Sequence, residues 1–259
     1  MKVIILAGGL GTRLGDLTEK QPKPMIKIGN MPIIWHIMKT YSSFGCNEFI
    51  IALGYKSLEI KKFFANYLLN TSDCTIDLSS GVTEFINEEK LNWKINLVDT
   101  GLNTMTGGRI KRLKKYINNE TFMLTYGDGV ANVNIKELIK FHEENNKLVT
   151  VTAVRPIARF GELIIKENLV SDFKEKPQIS EGWVNGGYFV CNPEVLDLIE
   201  NDETVFEKGP LEELSKIGQL SAFKHYDFWQ CMDTKRDRAI LEDLWRNKKA
   251  KWASSWRNN

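Results

Sequence analysis

The N-terminal part of the chain alternates short apolar runs with longer amphipathic segments. Val3 to Ala7 is a continuous apolar run that ends at glycines, which is typical of a strand buried on both faces of a parallel sheet. Pro32 to Phe44 carries apolar residues at helical spacing and is followed by Gly45, which predicts a helix. Phe49 to Leu53 predicts a second buried strand, and Leu58 to Leu69 predicts a second amphipathic helix.

The alternation continues to about residue 155. Residues 75–97 alternate apolar and polar positions, which predicts short strands or hairpins that extend an edge of the sheet. Thr121 to Tyr126 predicts a further strand, followed by a helix over Ile135 to Asn145 and a strand over Val149 to Val154. We therefore expect residues 1–155 to form an α/β core around a doubly wound, mostly parallel, Rossmann-like sheet.

Beyond Pro156 the predicted elements become shorter. They comprise strands at Leu163 to Lys166, Val170 to Glu175, Gly187 to Cys191 and Ala222 to His225, with helices at Pro193 to Ile199 and Pro210 to Ile217. A last amphipathic helix is predicted from Lys235 to Arg246. Because no low-complexity linker separates the halves, residues 156–259 are expected to form a smaller α+β part and a C-terminal helix of the same compact domain.

The composition narrows the class of partner. The 259 residues are 42% hydrophobic and 26% charged, as in globular proteins generally. A net charge of +2 does not supply the broad basic face that nucleic-acid binding needs. The apolar runs are far shorter than the roughly 20 residues that span a bilayer, and the N-terminal run is too short for a signal peptide. Four scattered cysteines without a C-x-x-C pair indicate a reducing compartment. We expect a cytoplasmic protein that binds neither nucleic acid nor a membrane.

A glycine-rich segment follows the first strand. It runs Leu6, Ala7, Gly8, Gly9, Leu10, Gly11, Thr12, Arg13, Leu14. Glycines at the carboxyl end of a parallel strand let backbone N–H groups converge on an anion such as a polyphosphate, and Arg13 adds a charged fork. The spacing is neither the Rossmann fingerprint nor a Walker loop. Further on, Pro22 and Pro24 fix the backbone around Lys23, which predicts a positioned cation beside the loop. A plain glycine turn and a solvated lysine are the structural alternatives.

These motifs resemble the nucleotidyltransferases that join a nucleoside triphosphate to a sugar 1-phosphate. Within that family the chain is similar to the glucose-1-phosphate cytidylyltransferases. The similarity extends over the segments 35–39, 98–101, 105–109, 125–130, 159–161, 185–190, 228–230 and 232–234. It implies the nucleotidyltransferase type A fold, CTP and glucose 1-phosphate as substrates, CDP-glucose and pyrophosphate as products, and a place in polysaccharide biosynthesis such as that of O-antigen. It also implies a homo-oligomer, with a hexamer as the expected form.

Two aspartates are the candidate metal ligands. Asp128 lies between two glycines after a predicted strand, and Asp233 precedes the last predicted helix. Mg²⁺ takes oxygen ligands, usually one or two carboxylates together with phosphates and water. The resemblance assigns Mg²⁺ to both aspartates. The alternatives are a turn-forming role for Asp128 and a position beside a helix N-cap for Asp233.

The resemblance also assigns the remaining site residues. Arg13, Lys23 and Asp128 are the expected catalytic residues. The expected substrate-binding residues are Leu6, Ala7, Gly8, Gly9, Leu10, Gly11, Thr12, Arg13, Lys23, Thr104, Thr106, Gly107, Arg109, Gly127, Asp128, Glu175, Lys176, Asn185 and Gly186. Among these, Arg109 is expected to meet a phosphate. The regions around Glu175 and Asn185 are expected to hold the hexose hydroxyls and the sugar phosphate, with Glu175 on the hydroxyls and Lys176 on the phosphate.

Three questions stay open at the level of sequence. The same chemistry with another nucleotide or sugar 1-phosphate is the first alternative, and a catalytically silent nucleotide-binding regulator is the second. The C-terminal tail with Trp252 and Trp256 looks exposed and is a candidate contact between subunits, although packing on its own subunit fits equally well.

Overall fold

The computed structural model describes residues 1–86, 91–156, 162–166, 169–174 and 182–257. Its strands are β1 (Lys2–Leu6), β2 (Lys27–Ile28), β3 (Met31–Pro32), β4 (Glu48–Leu53), β5 (Asp73–Asp77), β6 (Val82–Ile86), β7 (Lys94–Asp99), β8 (Phe122–Tyr126), β9 (Gly129–Ala131), β10 (Val149–Val154), β11 (Glu162–Lys166), β12 (Leu169–Lys174), β13 (Val184–Cys191), β14 (Leu220–His225) and β15 (Trp229–Cys231).

The helices are α1 (Asp16–Lys20), α2 (Ile33–Ser43), α3 (Ser57–Ala65), α4 (Tyr67–Thr71), α5 (Thr106–Arg112), α6 (Lys114–Ile117), α7 (Ile135–Asn145), α8 (Pro210–Lys216) and α9 (Lys235–Arg246). Short 3₁₀ helices cover Thr12–Leu14, Lys23–Met25, Pro193–Leu198 and Lys251–Ala253. The helix predicted over 58–69 is divided into α3 and α4 at Asn66. The backbone of Asn66 has φ −106° and ψ 27°, outside the helical range, and its side-chain amide donates back to the carbonyl oxygen of Lys62.

Seven strands form the central sheet in the order β14-β10-β13-β8-β1-β4-β7. β1 pairs in parallel with β4 and β8, β4 with β7, and β10 with β14, whereas β13 is antiparallel to both of its neighbours. This confirms the predicted mostly parallel, doubly wound sheet. The chain leaves β1 towards β4 on one side and returns with β8 on the other, so the carboxyl ends of β1 and β8 flank a topological switch point, where open sheets bind ligands.

Both parts of the chain contribute to this sheet. The strands predicted near residues 187–191 and 222–225 are β13 and β14, which enter the central sheet on either side of β10. In the region 75–97, β7 extends the sheet edge as predicted, while β5 and β6 pair with each other in a separate hairpin. A hydrophobic pattern indicates that a strand is buried but does not identify the strand with which it pairs. The sequence pattern therefore does not predict the pairing of β13 and β14 with β10 or of β5 with β6.

Helices cover the two faces of the sheet. Alternate residues of β1 belong to different cores: Val3 and Ile5 pack in a core with α2 and α9, and Ile4 packs in a core with α5 and α8. Strands that are buried on both faces have continuous apolar sequences, which explains the run that begins the chain. Among the described residues, no helix has the length and apolar character needed to cross a membrane.

The C-terminal tail packs on its own subunit. Trp252 is fully buried, and its ring stacks on Phe228 and on Trp245. Its indole N–H faces Nδ1 of His36 at 3.4 Å. The expectation of an exposed Trp252 is therefore wrong. The lack of periodicity after α9 hid the burial, because a 3₁₀ turn and a single large side chain leave no helical stripe.

Candidate active site

A cavity of about 1000 Å³ opens at the carboxyl ends of β1 and β8. Most of the residues assigned in advance line it: Leu6, Ala7, Gly8, Gly9, Leu10, Gly11, Thr12, Lys23, Thr104, Thr106, Arg109, Gly127, Asp128, Asn185, Gly186 and Asp233. Arg13 lies in the 3₁₀ helix after the loop, and its side chain is outside the described part of the structure. Glu175 and Lys176 also lie outside the described residues. The fold thus brings segments from both halves of the chain to one cavity.

The glycine loop is shaped by backbone geometry and by close packing. Gly11 has φ 65°, a left-handed conformation that favours glycine, and a Cβ at this position would lie 3.1 Å from Cβ of Lys23. Thr18 Oγ1 donates to the carbonyl oxygens of Gly11 and Gly15 at 3.2 and 2.9 Å. Within the described chain, the backbone N–H groups of Gly9 and Leu10 have no backbone acceptor. Loop donors of this kind can receive an anion.

Arg109 is a structural brace of this loop. Its side chain is buried and donates to the carbonyl oxygens of Gly8, Leu53 and Gly101 at 3.2, 3.0 and 2.7 Å. It also donates to Leu102 O and to Thr100 Oγ1. Burial lowers the pKa of this guanidinium. A Cβ at position 8 would lie 2.3 Å from Arg109 Nη1, so the glycine lets the guanidinium reach the loop backbone.

The start of α5 packs against the loop 201–209. Thr106 Oγ1 donates to Glu207 Oε2 at 2.7 Å and accepts from the backbone N–H of Phe206 at 2.9 Å. Gly107 N–H donates to Thr204 O, and a Cβ at Gly107 would lie 2.7 Å from that oxygen. Gly107 is thus placed by helix packing and does not line the cavity, in contrast to its neighbours Thr104 and Thr106.

Lys23 joins the two predicted metal ligands. Its ammonium donates to Asp128 Oδ2 at 2.6 Å and to Asp233 Oδ1 at 2.5 Å. Burial alone would lower the pKa of Lys23, but the charge and hydrogen bond of Asp128, followed by those of Asp233, raise it. The rigid lysine expected from its two flanking prolines is thus the meeting point of three charges.

A short strand pair brings the aspartates together. β9 pairs with β15, with Gly129 opposite Cys231, and Met232 N–H donates to the carbonyl oxygen of Asp128 at 2.8 Å. Thr234 caps α9 in a reciprocal capping box with Asp237. Because Thr234 serves as the cap, the Asp233 side chain accepts from Lys23 instead of from the helix N-terminus.

The donor set suits a hard divalent cation. The side chains of Asp128 and Asp233 are 30% and 25% exposed, and both line the cavity. In the described part of the chain no group of three or more His, Cys, Asp or Glu residues converges as a metal site. Two carboxylates that face one cavity match a hard divalent cation, which completes its shell with water and phosphate oxygens.

Several cavity residues were not assigned from the sequence. Tyr126 and Trp229 line the wall near Asn185 and Gly186. Trp229 Nε1–H donates to Gly186 O at 2.7 Å, and Asn185 Nδ2–H donates to the Tyr126 hydroxyl at 3.1 Å. Both aromatic residues lie in segments that carry the family resemblance, and this position in the sequence could have identified them as site residues. Glu207 lies in no such segment.

The comparison with protein families agrees with this geometry. The family model described as nucleotidyl transferase matches residues 2–235. The chain belongs to the nucleotidyl transferase family. A glucose-1-phosphate cytidylyltransferase of Salmonella typhimurium is 50% identical to this nucleotidyl transferase over 97% of the chain and 98% of the relative. A probable glucose-1-phosphate cytidylyltransferase of Bacillus subtilis is 42% identical over 97% of the chain and 99% of the relative.

Solved structures share the fold of this nucleotidyl transferase. The crystal structure of HddC from Yersinia pseudotuberculosis complexed with GMP-PN matches with a TM-score of 0.68 at 24% identity, covering 94% of this chain and 99% of that chain. At this identity the likeness speaks for the architecture alone.

Proposed function

We propose that this nucleotidyl transferase transfers a cytidylyl group from CTP to α-D-glucose 1-phosphate, giving CDP-glucose and pyrophosphate. The observation that carries the proposal is the placement of Lys23 between Asp128 and Asp233 beside the glycine loop. The cavity of about 1000 Å³ has room for both substrates. The cytidylyltransferase relatives at 50% and 42% identity support the choice of base and sugar.

The reaction brings two anions together. A phosphate oxygen of glucose 1-phosphate attacks the α-phosphorus of CTP in line, and the bond from that phosphorus to the oxygen bridging the β-phosphorus breaks. The electron pair leaves with pyrophosphate. Backbone N–H groups of the loop from Gly8 to Thr12 hold the triphosphate, and the Lys23 ammonium neutralises charge that develops on the α-phosphate. Arg13 keeps the catalytic role that the resemblance assigns to it.

Asp128 and Asp233 would hold the divalent cation, which is Mg²⁺ in this proposal. When bound, the cation supplies charge neutralisation to the phosphates. The two carboxylates fix its position, because the pairing of β9 with β15 holds one aspartate against the other segment. Lys23 has three N–H donors, of which the carboxylates take two.

The two substrates occupy different walls of the cavity in this proposal. Thr104 and Thr106 lie on the nucleotide side. Arg109 supports that side by donating a hydrogen bond to the Gly8 carbonyl oxygen of the glycine loop, in place of a contact with a phosphate. Asn185 and Gly186 lie on the sugar side. The resemblance adds Glu175 for the hydroxyls and Lys176 for the sugar phosphate.

One assay tests the proposal. Pyrophosphate release is measured for CTP, UTP, dTTP and GTP, each crossed with several sugar 1-phosphates, at saturating Mg²⁺. We expect the highest kcat/KM for CTP with glucose 1-phosphate. A different best pair would keep the chemistry and change the substrates, and no release with any pair would favour a silent nucleotide-binding regulator.

The assembly and location are further proposals. A homo-oligomer, expected as a hexamer, is tested by sedimentation of the full chain. A cytoplasmic location is tested by cell fractionation.

A further inference from the structure

Glu207 is hydrogen-bonded to two residues that line the cavity, Tyr126 and Thr106. It lies in the loop before α8, and its Oε1 accepts from the hydroxyl of Tyr126 at 2.5 Å. Its Oε2 accepts from Thr106 Oγ1 at 2.7 Å. Tyr126 and Thr106 both line the cavity, and the proposed function places Tyr126 on the sugar side and Thr106 on the nucleotide side. One carboxylate therefore holds a residue of each wall.

The direction of each hydrogen bond in this network is fixed. Thr106 Oγ1 accepts from Phe206 N–H, so its own proton points to Glu207. The Tyr126 hydroxyl accepts from Asn185 Nδ2–H at 3.1 Å, so its proton also points to Glu207. Asn185 Oδ1 accepts from Gly187 N–H at 2.8 Å, which sets the orientation of the Asn185 amide. A carboxylate suits the end of this chain because it accepts at both oxygens.

The Tyr126 ring itself is held by packing. It meets the ring of Phe189 edge-on at 5.9 Å. A Cβ at Gly187 would lie 2.5 Å from Tyr126 Cδ2, so the ring rests directly on the backbone there. With the ring fixed, the hydroxyl has little freedom except in the direction of its proton, and Glu207 sets that direction.

We propose that Glu207 is a positioning residue for the sugar 1-phosphate. Through the Tyr126 hydroxyl it fixes the Asn185 amide on the cavity wall, with one N–H given to Tyr126 and the other N–H directed away from it. This inference rests on the proposed function, because the sugar-side role of Asn185 belongs to that proposal. Glu207 acts through its neighbours and touches no reacting atom.

The substitution Glu207→Gln tests the network with little change of shape. An amide offers one acceptor oxygen in place of two, so the hydroxyls of Thr106 and Tyr126 compete for it and the direction of the Tyr126 proton is no longer fixed. The Asn185 amide is then held less firmly. We expect the KM for the sugar 1-phosphate to rise about tenfold while kcat stays within about threefold, because binding lost equally in ground and transition states raises KM alone.

A matched control and a double variant separate positioning from folding. Glu203→Gln removes the same charge from an exposed position of the same loop and should leave KM, kcat and Tm unchanged. Tyr126→Phe should raise the sugar-phosphate KM, and adding Glu207→Gln should then raise it no further, because the two changes cut one pathway. A merely structural Glu207 would give additive effects and a lowered Tm.

The kinetics use whichever nucleotide and sugar 1-phosphate the wild-type enzyme turns over best. A failed CTP assignment therefore leaves this test intact. An unchanged sugar-phosphate KM in Glu207→Gln, or additive effects in the double variant, would overturn the proposal.

Discussion

His36 makes folding depend on pH between neutral and acid conditions. It is fully buried, and its Nε2 faces the carbonyl oxygen of Ile28 at 2.9 Å while Nδ1 faces the indole N–H of Trp252. Burial lowers its pKa from 6.5 to about 4, and the nearby charge of Arg257 acts in the same direction. In the unfolded chain His36 therefore becomes protonated below pH 6.5, whereas in the folded chain it stays neutral down to about pH 4. Stability falls as the pH falls through this window.

The magnitude follows from the shift. Each pKa unit corresponds to about 1.4 kcal/mol, so His36 alone removes about 3 kcal/mol of unfolding free energy between pH 7 and pH 4. Urea unfolding followed by tryptophan fluorescence measures this loss directly. His36→Gln keeps a donor for the Ile28 carbonyl but cannot titrate, and its unfolding free energy should fall by about 2–3 kcal/mol less over the same range.

Other groups titrate nearby, and one control accounts for them. Burial also lowers the pKa of His225. The His225→Gln variant should therefore keep the part of the pH-dependent stability loss that comes from His36 and lack only the part that comes from His225. The hydrogen bond with Lys251 lowers the pKa of Asp227, so the stabilisation that Asp227 provides is lost only at lower pH. This loss is the same in every variant. If the unfolding free energies of the wild-type protein and of His36→Gln fell by the same amount between pH 7 and pH 4, the reasoning would be refuted.

Three further predictions concern the cavity. Lys23→Ala should lower kcat by about 10² to 10³-fold, more than it changes either KM, because its charge is matched to the transition state; steady-state kinetics showing near-normal kcat with raised KM would contradict this role. Asp128→Asn and Asp233→Asn should each raise the Mg²⁺ concentration needed for half-maximal activity, because an amide supplies no charge to the ion; an unchanged half-saturation point in a folded variant would remove that residue from the metal site. CTP should be preferred over UTP by roughly 10² in kcat/KM, because the ring positions 3 and 4 reverse donor and acceptor; equal yields of CDP-glucose and UDP-glucose in a competition experiment would exclude this selectivity.

Much of the fold could be predicted because its strands are buried on both faces. The apolar runs of β1 and β4 identify parallel strands, and parallel strands present their carboxyl ends at one edge of the sheet. By that rule the loop after β1 and Asp128 after β8 lie at the same edge of the sheet, and both line the cavity. It gives no position for β13, whose antiparallel insertion between β8 and β10 depends on tertiary pairing.

The candidate site was predictable to the extent that its chemistry is local. The glycine loop and Lys23 are recognisable from residue types at fixed spacing. The contact of Arg109 with Gly8 and the contacts of Glu207 with Tyr126 and Thr106 are not, because these partners lie far away in the sequence. A charged residue expected to meet a phosphate can instead be occupied by backbone carbonyls, as Arg109 is, and only the folded structure distinguishes the two.

The charges around Lys23 favour a divalent cation beside the two aspartates in the proposed function. One ammonium is shared by two carboxylates, so the side chains of Lys23, Asp128 and Asp233 taken together carry a net formal charge of −1. Such a group repels a triphosphate, and at the short distances of a partly buried cavity the repulsion is poorly screened. One divalent cation added to the same carboxylates would change the net charge to +1 and make the wall attractive to phosphate. This charge balance supports the proposed cation site independently of the resemblance, and the Mg²⁺ titration of the asparagine variants of both aspartates tests it.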